Sequence, residues 1–146
     1  MAEKIKLNSR IMAIDFGDAR TGIAVSDETA TLTGDAWVIK EKRQQTLAKI
    51  IIDEAKVRGV KTIVVGFPKN MDGTVGFRAS ASEAFATELS AQIENDSPDV
   101  ILWDERLTTK MADRILINVG KKGKKKKSSV DAVAASLILE SYLASI

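Results

Sequence analysis

The chain has 146 residues, of which 45% are hydrophobic and 29% charged, a composition typical of a single globular domain. It contains no histidine and no cysteine, which excludes disulfides, thiolate or imidazole zinc sites and histidine-dependent catalytic triads. The formal net charge is +2, but it falls to −4 without the six lysines between residues 121 and 127, so the positive charge is local.

The N-terminal segment predicts a protein that stays inside the cell. Residues 1–9 are rich in charge and are expected to form a flexible lead, followed by one domain over residues 10–146. The lead has no apolar signal core, and no apolar run approaches the roughly 20 residues of a membrane span. We therefore expect a cytoplasmic protein without a membrane partner.

Apolar runs that end at turn residues predict five strands, and apolar residues at helical spacing predict four helices. The short link at residues 17–20 favours a hairpin between the first two strands, and Gly59 is the expected end of the first helix. That helix is predicted to bury Leu47, Ile50, Ile51 and Ala55. In chain order the elements are strand 11–15, strand 21–27, strand 33–39, helix 44–58, strand 61–66, helix 79–94, strand 99–103, helix 108–119 and a final helix that begins at residue 128.

This order predicts an α/β fold in which helices cover both faces of a mixed five-stranded sheet. Three strands joined by hairpins come first, and alternating helices and strands follow. The first strand is expected to be central, with the carboxyl ends of the first and last parallel strands next to each other. Open α/β sheets place their sites at that edge.

Acidic residues lie at three positions that such a fold would bring together. Asp15 ends the first strand, Asp104 and Glu105 end the last, and Asp131 lies near the start of the final helix. Each has an ordinary structural alternative, because Asp forms turns after strands, acids stabilise helix starts, and residues 128–131 resemble a capping box. Neighbouring carboxylates repel each other, so the three groups together favour a metal site.

The lysine run and one long loop are the candidates for phosphate binding. A run of lysines is usually a solvated segment, but its position beside Asp131 favours contact with a nucleic-acid backbone. The loop over residues 67–78 is long for a connection, and Gly73 and Gly76 would let backbone amides approach a phosphate. No series of aromatic residues suited to base stacking is present, so sequence-specific reading of single strands is not supported.

Several motifs follow one another in order: Asp15-Phe16-Gly17 with Arg20, residues 22–27, residues 65–68 with 70–74, residues 104–109, and the basic stretch before Val130-Asp131 with Ala134-Ala135. On these motifs the chain, over roughly residues 11–143, resembles the YqgF/RuvX family of the RNase H-like superfamily. Alanine occupies position 19, where the family often has a basic residue.

The resemblance implies an RNase H-like nuclease with a Mg²⁺-binding acidic site. Bacterial members are named as nucleases that process the 5′ end of pre-16S rRNA or, in older usage, as Holliday junction resolvases. The acids carried over as catalytic residues and metal ligands are Asp15, Glu105 and Asp131, and Asp104 stays open as a ligand. We expect two divalent ions, Mg²⁺ or Mn²⁺. The expected nucleic-acid contacts are Arg20, Asn70, Thr74, Arg106, Lys121, Lys122, Lys124, Lys125, Lys126 and Lys127.

The expected substrate is pre-rRNA, with ribosomal precursor particles as a further expected partner, and branched DNA is the alternative. Junction resolution requires two active sites, and the sequence does not decide between a monomer and a homodimer. Two other classes are weighed against a nuclease. One is a nucleotide-binding module like the actin-like kinases, which the short chain disfavours because those proteins need two lobes. The other is a non-catalytic ribosome-assembly adaptor, which the three retained acids disfavour.

Overall fold

The computed structural model describes residues 9–68, 72–95, 97–104 and 127–146, with residues 127–129 described by their backbone alone. Within these ranges the chain forms five strands and three helices. None of these helices combines the length and apolar character that a membrane crossing requires. In chain order they are β1 (Arg10–Asp15), β2 (Thr21–Ser26), β3 (Thr33–Ile39), α1 (Gln44–Arg58), β4 (Val60–Phe67), α2 (Phe77–Gln92), β5 (Asp99–Asp104) and α3 (Lys127–Ser145).

The five strands form one mixed sheet in the order β3-β2-β1-β4-β5. The first three strands are antiparallel neighbours, which confirms the predicted hairpin between β1 and β2. Strands β1, β4 and β5 are parallel, and α1 and α2 provide the crossovers that parallel neighbours require. Strand β1 is therefore central, as predicted, and its carboxyl end lies at the same edge as those of β4 and β5.

The sheet separates two apolar layers because successive side chains of a strand point to opposite faces. Met12 and Ile14 of β1 belong to the layer that α1 and α2 cover, where Leu47, Ile51, Phe85 and Leu89 are also buried. Ile11 and Ala13 belong to the layer under α3, together with Ala24, Val64, Ala135, Ile138 and Leu139. By the same alternation Asp15 faces α3.

Two sequence-based expectations were wrong in detail. The first and last parallel strands are not neighbours, because β4 lies between them. Adjacent strands are about 4.8 Å apart, so about 10 Å separates β1 from β5. In α1, Ile50 is 38% exposed, and Ile52 is buried in its place. The helix ends as predicted, since Gly59 adopts the left-handed conformation with a φ of 73°.

Other expectations fall on residues outside the described ranges. These are the flexible lead, apart from Ser9, and the helix predicted over residues 108–119. The final helix is present and begins at Lys127, one residue before Ser128. Asp131 therefore lies beyond the first turn of α3, and Ser128 does not precede the helix as a capping residue would.

Candidate active site

The end of β1 is fixed by an aromatic contact and by the hairpin that follows it. Phe16, which follows Asp15, is buried and stacks on Phe85 of α2, with ring centroids 4.6 Å apart. The hairpin that follows is closed by Thr21, whose hydroxyl accepts a hydrogen bond of 3.4 Å from the Gly17 amide. Asp15 is thus held on a rigid strand end rather than on a mobile loop.

The backbone of α3 meets the sheet at Gly22. A methyl group built on Gly22 would lie 2.8 Å from the carbonyl carbon of Asp131 and in still closer conflict with its oxygen. Only glycine permits this approach. Gly22 is also the direct partner of Asp15 in the β1–β2 pairing. The start of α3 is consequently placed directly over the strand pair that carries Asp15.

The two carboxylates interact electrostatically. Burial raises the pKa of Asp15 from the usual 3.8 to about 6, the positive charge of Arg78 opposes this increase, and the negative charge of Asp131 adds to it. Asp15 therefore experiences an environment that disfavours its ionised form. A cation bound between Asp15 and Asp131 would reverse that preference.

Arg78 is a member of this site that the sequence did not identify. It lies in the first turn of α2, at the end of the long loop, and its charge acts on Asp15. The loop was recognised as a possible phosphate-binding element, but a single arginine at its end carries no periodic or motif signal. Only the fold shows that the start of α2 and the end of β1 share one edge.

Asp104 lies on the opposite face of the sheet from Asp15 and Asp131. Trp103 packs in the layer under α3, where its indole nitrogen donates a 3.0 Å hydrogen bond to the hydroxyl of Ser141. Alternation along β5 then directs Asp104 toward the face that α1 and α2 cover. Its strand partner is Phe67 of β4.

Of the remaining predicted site residues, some lie within the described ranges and the others lie outside them. Arg20 is partly buried in the hairpin after β1, at the same edge as Asp15. Thr74 is exposed, and its amide and hydroxyl donate hydrogen bonds of 2.9 and 2.7 Å to Asp72. Lys127 begins α3, and its side chain is not described. Outside the described ranges lie Asn70, Glu105, Arg106, Lys121, Lys122, Lys124, Lys125 and Lys126.

The donor set fits a hard divalent cation. The ligands offered are carboxylate oxygens, which Mg²⁺ and Mn²⁺ prefer. Asp15 and Asp131 form a pair, and no group of three or more metal-binding side chains occurs within the part of the chain that the structure describes. A complete site requires a further ligand, and Glu105 is the candidate from the sequence.

The fold is that of the RNase H-like resolvases. A solved structure of Thermus thermophilus RuvC in complex with a Holliday junction substrate matches with a TM-score of 0.55 and 13% identity, over 93% of this chain and 96% of that one. A fowlpox virus resolvase bound to Holliday junction DNA matches with a TM-score of 0.58 and 14% identity, over 93% and 97% of the two chains. These likenesses confirm the predicted fold class.

The chain belongs to the RuvX family. The family model, described as Holliday junction resolvase, matches residues 9–145. A Geobacillus relative is 46% identical over 139 residues, covering 92% of this chain and 96% of its own length. A relative from Acetivibrio thermocellus is 43% identical over 143 residues, covering 92% and 94% of the two chains. Both carry the provisional name pre-16S rRNA nuclease, and membership of this family makes the chain a nuclease.

Replacing Asp15 with asparagine should stabilise the metal-free protein at neutral pH. The pKa of Asp15 is higher in the folded state than in the unfolded chain, so its contribution to stability is present below about pH 4 and is lost as the pH rises through about 6. Asp15→Asn should raise the free energy of unfolding by about 2 kcal/mol at pH 7.5 and by less near pH 5. Chemical denaturation in a chelator at several pH values measures this difference.

Asp18→Asn is the matched control, because Asp18 is an exposed acid of the same hairpin. Adding Mg²⁺ should stabilise the wild type more than Asp15→Asn, since ligand binding to the folded state adds to stability. A stability difference that does not change with pH would contradict the partly buried, repelled carboxylate of Asp15.

Replacing Gly22 with alanine should separate the two acids without altering either. The added methyl group conflicts with the backbone of α3 at Asp131, and overpacking of this kind costs about 1–3 kcal/mol. We expect a lower melting temperature and a loss of cleavage larger than the loss of folded protein explains. Thermal unfolding and cleavage assays of the same preparation test this. An unchanged melting temperature together with unchanged cleavage would show that the backbone of α3 does not lie against β2 at Gly22.

Proposed function

We propose that this chain is a divalent-metal-dependent nuclease that processes the 5′ end of pre-16S rRNA during ribosome biogenesis. The observation that carries the proposal is the close approach of α3 at Gly22, which sets Asp131 over the strand pair of Asp15. The family assignment supplies the reaction class, and the names of the relatives supply the substrate. Processing in the cytoplasm, on ribosomal precursor particles, follows from the same substrate.

Asp15, Asp131 and Glu105 would hold the metal, with Asp104 as the alternative to Glu105. When bound, a pair of Mg²⁺ or Mn²⁺ ions lowers the pKa of an attacking water and stabilises the charge that develops on the leaving oxygen. Asp15 and Asp131 would offer carboxylate oxygens to the ions, and their placement on a strand end and a helix limits the positions that these oxygens can take. No histidine is needed to move a proton in this arrangement.

The basic residues would hold the substrate. Arg20 lies at the same edge as the acids, and the lysines of residues 121–127 precede Asp131 directly. Phosphate contacts of this kind set affinity and register without reading bases, as expected for an enzyme that selects a folded substrate. Arg106, Asn70 and Thr74 are further candidates for such contacts.

Resolution of a Holliday junction is the second candidate function. It is favoured by the description of the family and by the fold that the chain shares with two resolvases. Because a junction is cut on two strands, this function requires two active sites and thus a homodimer, whereas processing of one rRNA end needs only a monomer.

Cleavage of two substrates by one preparation tests the proposal. Purified protein is incubated with a precursor rRNA fragment and with a four-way DNA junction, each with Mg²⁺, with Mn²⁺ and with a chelator. We expect metal-dependent cleavage near the mature 5′ end of the rRNA and slower cleavage of the junction. Cleavage of the junction alone, by a dimer, would favour the second candidate. Tight binding without cleavage of either substrate would favour the non-catalytic adaptor.

The same assay distinguishes the two neighbouring acids at the end of β5. Asp104 faces away from Asp15 and Asp131, so Asp104→Asn should reduce kcat less than tenfold. We expect Glu105→Gln to reduce kcat by at least about a thousandfold, comparable to Asp131→Asn, because each removes a ligand of the activating ion. Thermal unfolding controls for the fold. A larger effect at Asp104 than at Glu105 would assign the ligand to Asp104.

The lysine run should contribute to affinity through phosphate contacts. Each contact changes the slope of log affinity against log salt by about −0.9 on duplex and −0.7 on single strands, so replacing Lys124, Lys125 and Lys126 with alanine should flatten the slope by about one to two. As a control, replacing the exposed Lys49, Lys56 and Lys61 of α1 and β4 removes the same charge. Equal slopes for the two triple variants would show that the lysine run makes no phosphate contacts.

A further inference from the structure

A cavity opens beside the acidic site, between the first hairpin and the start of α2. Its volume is about 180 Å³. It lies on the α2 side of the strand end that carries Asp15, since Phe16 and Gly17, the two residues after Asp15, form part of its wall. The lining residues are Phe16, Gly17, Asp18, Phe77, Arg78 and Ala81.

Arg78 forms one wall of this cavity, and the described residues accept no hydrogen bond from its guanidinium group. Arg78 is exposed, and no hydrogen bond or ion pair to its side chain occurs among the described residues. Arg10, Arg43 and Arg58 differ, because each forms an ion pair with a carboxylate. The charge of Arg78 acts on Asp15 instead. An arginine placed this way can bind an anionic group without breaking a hydrogen bond or ion pair to the part of the chain that the structure describes.

Phe77 is an exposed aromatic residue at the same cavity. It is 82% exposed, whereas Phe16, Phe67 and Phe85 are buried. Trp37 lies under Arg58, and Trp103 and Tyr142 pack against each other. Among the described residues Phe77 is thus the one phenylalanine, tryptophan or tyrosine ring that is largely open to solvent, and it adjoins the arginine whose charge acts on Asp15. A ring in this position offers a stacking surface.

We propose that this cavity is a one-nucleotide subsite of the nuclease, in which Arg78 binds the phosphate next to Asp15 and Phe77 covers the adjoining base. A planar guanidinium binds two phosphate oxygens at once, which fixes the orientation of the phosphate. Stacking on an aromatic ring accepts any base, because every base has a π face. The carboxylate of Asp18 lies at the hairpin side of the cavity, so the phosphate belongs on the α2 side.

The subsite rests on the proposed nuclease function and adds a chemical preference to it. A base can stack on Phe77 only if it is not paired within a duplex, so the nucleotide bound here must be unpaired or have left its helix. The enzyme should therefore cut at single-stranded or loosely paired positions close to structured regions, without preference for a particular base.

Two substitutions with matched controls test the subsite. Arg78→Gln should lower kcat/KM by about 10- to 100-fold and flatten the salt slope of binding by about one. Arg78→Lys should recover the salt slope but not the full rate, because a point charge does not orient the phosphate. Lys61→Gln removes a positive charge at the start of β4, at the opposite edge of the sheet, and should change neither value.

Phe77→Ala should weaken binding by about 5- to 100-fold, measured with Ca²⁺ in place of Mg²⁺ so that the substrate stays intact. That loss should disappear on a substrate with an abasic site at the nucleotide that stacks, found by scanning abasic sites around the cut. Val57→Ala, at an apolar position that is 84% exposed, is the control. Arg78, Lys61, Phe77 and Val57 are all exposed, so the melting temperature should be nearly unchanged in every variant.

The outcomes separate the subsite from the proposed function. If the wild type cleaves and Arg78→Gln and Phe77→Ala behave like their controls, the subsite is wrong and the nuclease function stands. If the wild type binds but cleaves neither RNA nor DNA, the proposed function is wrong. The binding measurements still decide the subsite in that case, because loss of affinity in the two variants alone would support it and its absence would overturn it.

Discussion

The contact between the backbone of α3 and the backbone of β2 at Gly22 is the constraint on which the acidic site depends. Asp15 is the strand partner of Gly22, and Asp131 supplies the carbonyl that lies against Gly22. The two acids are therefore brought together by sheet register and helix placement, and no side-chain contact between them is required. Any change that lifts α3 from the sheet would separate them while leaving both in the chain.

The apolar layer under α3 opposes the repulsion that this placement creates. Ala135, Ile138 and Leu139 are buried against the sheet, and the hydrogen bond between Trp103 and Ser141 fixes the same helix to β5. Without a cation, the site retains a carboxyl group whose pKa is raised to about 6. A cation bound at Asp15 would offset this penalty, and the free energy of its binding would then be coupled to the stability of the fold.

The sequence predicted the bounds of the strands better than it predicted which strands are neighbours in the sheet. Apolar runs and turn residues predicted all five strands within one or two residues, because burial and turn chemistry are local properties. The position of β4 between β1 and β5 depends on contacts between residues that are far apart in the sequence. The apolar run of β4 is nevertheless typical of a strand in the middle of a sheet. Ile63, Val64 and Val65 are consecutive and fully buried, as in a strand that is covered on both faces.

The candidate site likewise contains residues that the sequence predicted and residues whose relation to the site only the fold shows. Asp15 and Asp131 were predicted from their positions at a strand end and near a helix start, and the fold brings these two positions together. Arg78 and Phe77 follow a glycine-containing loop and have no pattern of their own, so their relation to Asp15 appears only in three dimensions. The absence of an aromatic series in the sequence remains true, yet a single exposed ring at the right edge is sufficient for one stacking contact.

The orientation of Trp103 bears on the last unassigned ligand. Its hydrogen bond to Ser141 and its edge-to-face contact with Tyr142, at 5.3 Å between centroids, place its side chain firmly on the α3 face of β5. Asp104 must then point to the other face, about 10 Å from β1 across β4. A carboxylate so placed does not share a face with Asp15 and Asp131. This geometry disfavours Asp104 as a ligand shared with Asp15 and Asp131, on physical grounds that are independent of the family resemblance, and two adjacent acids at one strand end need not serve the same purpose.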